Sequence, residues 1–335
     1  MKRSILGLLY LIKGMREAGI NVDQPLERIG IHSDALDSSA IIHQTLEWDI
    51  FKNLAQDVEP TLGIKVGQHY ALAGYGPLLM LLVAAYDVTD LLKQGVRFQK
   101  LTHLSGELDF EMDRDRIALV YRPIDLLSQL GQFRAQCEIS GTYKFICDIN
   151  RMIGLTFSAL EVELPFPYPN SDQLLEEYKA HFGEKISFEH AQARFWFDAD
   201  ILERKNPSVD SLSFKTYEKK CEEELTRLAI LEEAPSLIQR VKDYLEIQTR
   251  MFPTMAETAS ALHVPERTLR HQLQKHELSF KEIREEVIKR RALELIAIPK
   301  CSIEQIAEQL GYSEPAAFNH AFKRWFGQSP SQYRK

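Results

Sequence analysis

The last hundred residues of the chain contain a weak internal duplication, which restricts the possible folds more than any other feature of the sequence. Three small or apolar residues of the first copy return in the second after a constant offset of 48 residues: Met255, Ala259 and Leu262 become Ile303, Ala307 and Leu310. Each copy has the order of a cap residue, a short helix, a tight turn and a second helix. This order is typical of a helix-turn-helix, whose second helix enters the major groove of DNA. The sequence therefore predicts an all-α region with two helix-turn-helix motifs in residues 235–335.

Capping boxes predict where the helices of this region begin. In a capping box, a Ser or Thr and the Glu or Gln three residues later satisfy each other's free backbone N–H groups. The pattern occurs at three places: Thr254 with Glu257, Ser279 with Glu282, and Ser302 with Gln305. The middle box begins a long helix that would join the two motifs and end before Pro299.

A basic run lies in this connecting helix, at Lys289, Arg290 and Arg291. It either follows DNA phosphates or forms a solvated helix face together with the nearby Glu285 and Glu286. The sequence alone favours neither interpretation.

Charge is divided unevenly between the two ends of the chain. The net charge is −7, but residues 235–335 hold 16 Lys and Arg against 12 Asp and Glu, whereas residues 1–234 hold 25 against 36. The C-terminal region therefore has a net charge of +4 and the preceding region −11. This asymmetry indicates that only the C-terminal region meets a polyanion.

The pattern of apolar residues before residue 212 predicts an α+β fold. Apolar residues recur at helical spacing through residues 4–60, which predicts helices there. A β-hairpin is predicted from an alternating stretch at residues 108–112, a turn at Asp113–Arg116 and an apolar strand at Ile117–Tyr121. Phe195–Phe197 is expected to be a buried strand. We therefore expect an α+β regulatory domain over residues 1–212.

A charged helix is predicted to follow this domain, with a linker role over residues 213–234. Between Tyr217 and Glu233 it carries Leu225, Leu228 and Leu231 at helical spacing. These leucines either form a homodimer contact or pack back on their own domain.

Residues 302–334 closely resemble the C-terminal signature of the AraC/XylS family of bacterial transcription regulators. The shared patterns are I-A-x-x-L-G-Y-S, then F-x-x-A-F-K-R-W-F-G, then S-P-x-x-Y-R. The first copy, LHVPERTLRHQL followed by LSFKEI, is similar to the other half of that family's DNA-binding domain, whose sequence signature is weaker. The N-terminal half resembles the arabinose-binding-like regulatory domain of the subgroup with ornithine-utilisation and virulence regulators, through LGIKVG at residues 62–67, GYG at 74–76 and the stretch to Leu101.

The resemblance implies two recognition helices that lie in successive major grooves. Mapped by motif, the first helix presents four DNA-binding residues: Arg267, Thr268, Arg270 and His271. The second presents Ala316, Ala317, Asn319 and His320, followed by Lys323 and Arg324 for phosphate contacts. Arg is suited to paired hydrogen bonds with guanine, and Ala to contact with a thymine methyl group.

Two departures from the family pattern concern these helices. His271 and His320 stand where family members often carry Arg, and a neutral His makes a shorter and weaker contact. Pro265 occupies the usual Ser cap before the first recognition helix, so a hydroxyl that could bond a phosphate is absent. The first motif is therefore expected to bind less well than is typical for the family.

Several other kinds of chemistry find no support in the sequence. Leu79 stands where a dinucleotide-binding G-x-G-x-x-G needs its third glycine. The four cysteines form no C-x-x-C pair, and the ten histidines form no H-x-H or H-E-x-x-H pattern. The longest apolar run, Pro77–Ala85, is far shorter than the ~20 residues of a membrane span. We predict no cofactor, no metal site, no membrane association and no enzymatic activity.

The sequence thus predicts a cytoplasmic, sequence-specific DNA-binding transcription regulator, and the family resemblance implies an activator more often than a repressor. Its expected partners are promoter DNA, RNA polymerase, an unidentified small-molecule effector in the N-terminal domain and a second copy of the chain. Four residues lie in the region of the effector site, although a structural role suits each: Lys65, His69, Tyr75 and His103. Two alternatives stay open, namely control by a protein partner without ligand and a metal-dependent enzyme domain fused to a DNA-binding tail.

Overall fold

The computed structural model describes residues 2–155, 159, 161–229 and 235–334. These residues form two compact units. The helical unit contains the described residues of 1–5, 21–54 and 233–335, and the sheet unit contains those of 6–20 and 55–232. The division differs from the predicted boundaries at residues 212 and 234, because an N-terminal segment packs with the C-terminal helices. A functional division at residues 212 and 234 stays a prediction.

The described residues before residue 230 contain both strands and helices. The strands are β1 (Lys2–Ser4), β2 (Ile41–His43), β3 (Glu107–Asp113), β4 (Arg116–Arg122), β5 (Glu161–Glu163), β6 (Ile186–Ser187) and β7 (Ala193–Asp198). The helices are α1 (Leu6–Glu17), α2 (Asp23–Arg28), α3 (Gln44–Ala55), α4 (Gly63–Gly67), α5 (Pro77–Val83), α6 (Val88–Arg97), α7 (Gln129–Ile153), α8 (Asp172–Phe182) and α9 (Ser211–Ala229).

The sheet unit is built on one sheet with the strand order β3-β4-β7-β5-β6. The predicted hairpin is confirmed: β3 and β4 pair antiparallel from Glu107 opposite Arg122 to Asp113 opposite Arg116. Arg114 in the turn has a φ of 56°, as a tight hairpin requires. The predicted buried strand at Phe195–Phe197 is the centre of β7, which pairs with β4. One face of this sheet packs on the long helix α7 in an apolar core.

Two glycines of the LGIKVG motif explain how α4 packs on α7. A Cβ added at Gly63 would lie 2.7 Å from the backbone oxygen of Phe133, and one added at Gly67 would overlap the carbonyl oxygen of Cys137. The two helices therefore approach backbone to backbone, which only glycine permits. Nearby, the buried Arg134 and Glu138 form an ion pair with 2.6 Å between Nε and Oε1.

The prediction of helix throughout residues 4–60 is wrong in part. β1 and β2 pair antiparallel, with Arg3 opposite Ile42. Strands of three residues are too short to show the alternation by which strands are detected in a sequence. Their pairing is long-range, so the local apolar spacing at residues 41–42 cannot distinguish a strand from the helix that follows.

Helix α9 begins at Ser211, six residues earlier than the predicted Tyr217. Leu225 packs against an apolar cluster that includes Phe214 and Cys221, and Leu228 is 5% exposed. Leu231 lies outside the described residues. Both described leucines therefore pack within their own chain, which favours the second of the two interpretations for this helix.

After residue 235, the described structure is helical, as predicted. The helices are α10 (Leu237–Glu246), α11 (Met255–Ala261), α12 (Glu266–Lys275), α13 (Phe280–Ile296), α14 (Ile303–Gln309), α15 (Pro315–Phe326) and α16 (Pro330–Tyr333). α11 with α12 and α14 with α15 form the two helix-turn-helix motifs, and α13 joins them.

Candidate nucleic-acid interface

All three predicted capping boxes are present. Thr254, Ser279 and Ser302 begin α11, α13 and α14, and in each box both reciprocal hydrogen bonds form. A fourth box, Ser329 with Gln332, begins α16. Its S-x-x-Q spacing is the same local signal as that of Ser302 with Gln305. The start of the first helix in each motif is therefore fixed by local side-chain bonds, which can be predicted from the sequence.

The turns of the two motifs are built from different residues. Gly311 has a φ of 78° in the second motif, and His263 has a φ of 53° at the equivalent place in the first. A residue with a Cβ pays roughly 1–2 kcal/mol for this conformation. In this conformation the His263 side chain contacts α3. Its Nε2 lies 3.0 Å from the Asp49 carbonyl oxygen and 3.0 Å from the Asn53 Nδ2.

The first recognition helix, α12, divides cleanly into two faces. Leu269 and Leu273 are buried in the core of the unit. The four predicted DNA-binding residues on this helix are all exposed: Arg267, Thr268, Arg270 and His271. Pro265 caps the helix without a side-chain hydrogen bond, so the Ser hydroxyl of the family pattern has no substitute here.

Arg270 forms an ion pair with Glu266 on the same helix, with 2.6 Å between Nη2 and Oε1. Both side chains are largely exposed, and an exposed pair of this kind contributes at most about 1 kcal/mol. The pair holds the guanidinium along the exposed face and can open at small cost when a better acceptor is present.

The second recognition helix, α15, also separates core from surface. Phe318 and Phe322 are fully buried. The predicted base-contacting residues Ala316, Ala317 and His320 are exposed, and Asn319 is half-buried. The Asn319 amide donates to the Pro315 carbonyl oxygen at 3.0 Å, which leaves its amide oxygen for another donor.

The two predicted phosphate contacts on α15 differ in their surroundings. Arg324 donates to Glu285 on α13 at 2.8 Å, and the Trp325 indole N–H donates to the same carboxylate. The hydrogen bond from Trp325, together with Arg324, outweighs partial burial and lowers the pKa of Glu285. Within the described part of the chain, Lys323 forms no ion pair and is exposed. Lys323 is therefore the freer of the two cations.

The basic run on α13 is matched by carboxylates of the same unit. Lys289 lies 3.9 Å from Glu285, Arg290 lies 3.0 Å from Glu246, and Arg291 lies 2.9 Å from Asp37. Arg291 is also largely buried, with 18% of its side chain exposed. The pair with Asp37 favours an intramolecular role for Arg291, whereas the exposed pairs of Lys289 and Arg290 can open and leave both interpretations in place for those two residues.

An acidic N-terminal segment, residues 21–54, packs on the helices of the DNA-binding region. It contains two Lys and Arg against six Asp and Glu, a net charge of −4. Three of its carboxylates bind three arginines of the region: Asp34 pairs with Arg250, Asp37 with Arg291 and Asp49 with Arg240. Burial outweighs the Arg240 contact and raises the pKa of Asp49.

Backbone contacts join the same segment to the DNA-binding helices. The buried Tyr244 hydroxyl donates to the Ile29 carbonyl oxygen, the Ile247 carbonyl accepts from Asp37 N–H at 2.9 Å, and Asn53 donates to the Ala261 carbonyl at 3.2 Å. The segment is thus an integral part of the helical unit. Sequence reasoning missed it, because no motif marks it and its acidic composition was counted with the N-terminal domain.

The sheet unit contains an apolar cavity of about 80 Å³ between α5, α6, α7 and the sheet. Tyr75 lines this cavity, and burial raises its pKa. The other predicted effector-region residues have different surroundings. Lys65 pairs with Glu177 at 3.1 Å, His69 pairs with Glu17 at 2.5 Å, and the His103 ring packs 4.3 Å from that of Tyr70.

No group of three or more His, Cys, Asp and Glu side chains is placed to hold a metal ion among the described residues. None of the described helices is long and apolar enough to cross a membrane.

Two helix-turn-helix motifs with exposed recognition helices define a DNA-binding protein. Residues 19–206 match the family model of the arabinose-binding domain of AraC transcription regulators, N-terminal, and residues 258–335 match a helix-turn-helix domain. The chain belongs to this family of AraC-type transcription regulators, as the sequence motifs predicted. It is a DNA-binding regulator with an N-terminal domain of ligand-binding type.

Individual relatives span most of the chain. The HTH-type transcriptional regulator VqsM of Pseudomonas aeruginosa is 29% identical over 81% of this chain and 83% of its own. The ornithine utilization regulator of the same organism is 24% identical over 97% and 94%. The crystal structure of the transcriptional regulator CdpR from Pseudomonas aeruginosa is similar over 98% of both chains, with 23% identity and a TM-score of 0.47.

Proposed function

We propose that the protein is a cytoplasmic transcription activator that binds promoter DNA as a homodimer, contacts RNA polymerase and is controlled by a small-molecule effector in its sheet unit. The observation that carries the DNA-reading part is the exposure of the recognition faces. Arg267, Thr268, Arg270 and His271 on α12 are all solvent-exposed, while the leucines of the same helix are buried.

On this proposal, each recognition helix reads one segment of the major groove. Arg270 leaves Glu266 and makes paired hydrogen bonds with guanine O6 and N7. Asn319 makes the equivalent pair with adenine, and Ala316 and Ala317 leave room for thymine methyl groups. Lys323 contacts a phosphate and contributes affinity without sequence preference.

The cavity of the sheet unit supports control by a ligand over control by a protein partner. A regulator that responds only to a protein needs no internal cavity, and an empty cavity lowers the stability of a domain. The proposed activator role and the contact with RNA polymerase come from the family resemblance. The dimer would raise affinity through linked binding sites.

The salt dependence of promoter binding tests the proposal. If about six phosphates are neutralised, affinity falls roughly a thousandfold between 50 and 200 mM salt. Lys323→Ala should reduce the slope of log affinity against log salt by about 0.9. Lys219→Ala on the exposed surface of α9 is the matched control and should leave the slope unchanged. A slope near zero for the unmodified protein would refute the DNA-binding mode.

Transcription in vitro with RNA polymerase tests the activator role. We expect that adding the protein and effector raises transcript yield from a bound promoter. Repression under the same conditions would overturn the activator assignment and leave the DNA-binding mode intact.

A further inference from the structure

The residues that line the cavity in the sheet unit limit which ligands it can bind. They are formed by apolar side chains from three helices and the sheet, among them Leu78, Leu82, Leu119, Ile149 and Phe197. No Lys, Arg, Asp, Glu or His side chain is among the lining residues that the structure describes. A charged group brought into such a site would lose its hydration without gaining a partner, at a large cost in free energy.

Four polar side chains line the wall, those of Tyr75, Thr102, Thr142 and Asn150, and all except Tyr75 already take part in interactions within the chain. The Thr102 hydroxyl donates to the Gln99 carbonyl at 2.6 Å, and the Thr142 hydroxyl donates to the Glu138 carbonyl at 2.8 Å. The Tyr75 hydroxyl makes no hydrogen bond to any described residue, although the side chain is 6% exposed. Tyr75 therefore offers one hydrogen-bond donor to a molecule in the cavity.

We propose that the sheet unit binds an uncharged, mainly apolar small molecule in this cavity, and that the molecule accepts one hydrogen bond from Tyr75. The inference rests on the proposed function only in naming this molecule as the effector. It excludes sugars and free amino acids, because the wall cannot satisfy several hydroxyl groups or a zwitterion.

The size of the cavity limits the ligand further. An apolar cavity of about 150 Å³ accepts benzene, and this one measures about 80 Å³. A molecule no larger than a small ring fits with slight adjustment of the walls. The adjustable side is α6, where Leu91, Leu92 and Gly95 line the cavity and are half-buried.

Gly95 provides a way to close the cavity without disturbing the core. It lies within α6, and a Cβ added there meets nothing within 4 Å. A leucine at this position has space to occupy the cavity edge, and replacing a glycine inside a helix favours the helix. Lys93 on the exposed surface of the same helix offers a matched control site.

Cyclopentanone is a suitable probe, because it is uncharged, apolar and carries one acceptor. Methyl NMR of the full chain should show saturable shifts of Leu119 and Ile149, and Lys93→Leu should behave like the unmodified protein. Gly95→Leu should abolish the shifts. Tyr75→Phe should weaken cyclopentanone binding about fivefold, the value of one hydrogen bond, and should leave cyclopentane binding unchanged.

Equal binding by Gly95→Leu and the unmodified protein would overturn the assignment of the cavity. Shifts of the same methyl groups by L-arabinose or L-ornithine would overturn the claim that the ligand is uncharged and apolar. Absence of cyclopentanone binding would refute the cavity proposal while salt-dependent promoter binding stands. Loss of promoter binding in the unmodified protein would refute the proposed function instead.

Discussion

Removal of the Tyr244 hydroxyl tests whether the acidic N-terminal segment is part of the DNA-binding unit. Tyr244 on α10 is fully buried, and its hydroxyl donates to the Ile29 carbonyl oxygen of the segment. Tyr244→Phe keeps the ring and its packing and deletes only the donor. The Ile29 carbonyl then loses this bond in the protein interior, which costs about 1–3 kcal/mol.

The helical unit is of a size at which 1 kcal/mol lowers the melting temperature by about 2–4 °C. We therefore expect Tyr244→Phe to lower the melting temperature of this unit by several degrees. Denaturant unfolding followed by circular dichroism would give the change in free energy directly. Because both partners belong to the helical unit, the unfolding of the sheet unit should stay the same.

Tyr333→Phe is the matched control, because Tyr333 lies in the same unit and is 41% exposed. Its ring contacts with Phe322 and Phe326 do not depend on the hydroxyl. We expect a change within about 0.5 kcal/mol. If Tyr244→Phe is no more destabilising than this control, the segment is not held on the DNA-binding helices in the way described.

Four further changes have defined outcomes. Leu228→Glu puts a charge at a buried position and should destabilise the sheet unit by about 3 kcal/mol or more. If the variant instead keeps its melting temperature and loses the dimer, the dimer interpretation of α9 is restored. Arg270→Ala should cost about 1–3 kcal/mol of DNA binding and relax base preference at one position; a uniform loss over all sequences would contradict this. Burial lowers the pKa of His181 to about 4, so the unfolded chain takes up a proton below about pH 6.5 that the folded chain does not. Stability should be complete above that pH and fall by at most about 3 kcal/mol toward pH 4, a dependence that His181→Gln should reduce in denaturant titrations. Gly95→Ala should raise the stability of the sheet unit by about 0.5–1 kcal/mol, and a lower melting temperature would show that the space beside Gly95 is occupied.

The helix-turn-helix motifs could be predicted because their determinants are local. A capping box such as Ser302 with Gln305 fixes a helix start through bonds between residues three apart. The hairpin of β3 and β4 is equally local, since its register follows from one short turn. The spacing of apolar residues in α12 and α15 then predicts which face of each recognition helix is buried and which is exposed.

The association of residues 21–54 with the DNA-binding helices could not be predicted, because it depends on contacts about 200 residues apart in the chain. No motif near Asp49 or Arg240 indicates that these two residues form an ion pair. The same limit applies to β1 and β2, whose three-residue strands show no alternation. For the basic run on α13, the sequence left two interpretations, and the partner that buries Arg291 is Asp37 in this distant segment.

The central claim is that α12 and α15 each read a separate segment of the major groove. Selection of binding sites from random DNA, carried out with the unmodified protein, Arg270→Ala and Asn319→Ala, tests it most directly. For each copy of the chain we expect two half-sites whose centres lie about 10–10.5 base pairs apart, with Arg270→Ala relaxing one and Asn319→Ala relaxing the other. A single half-site, or the same positions relaxed by both substitutions, would contradict the claim.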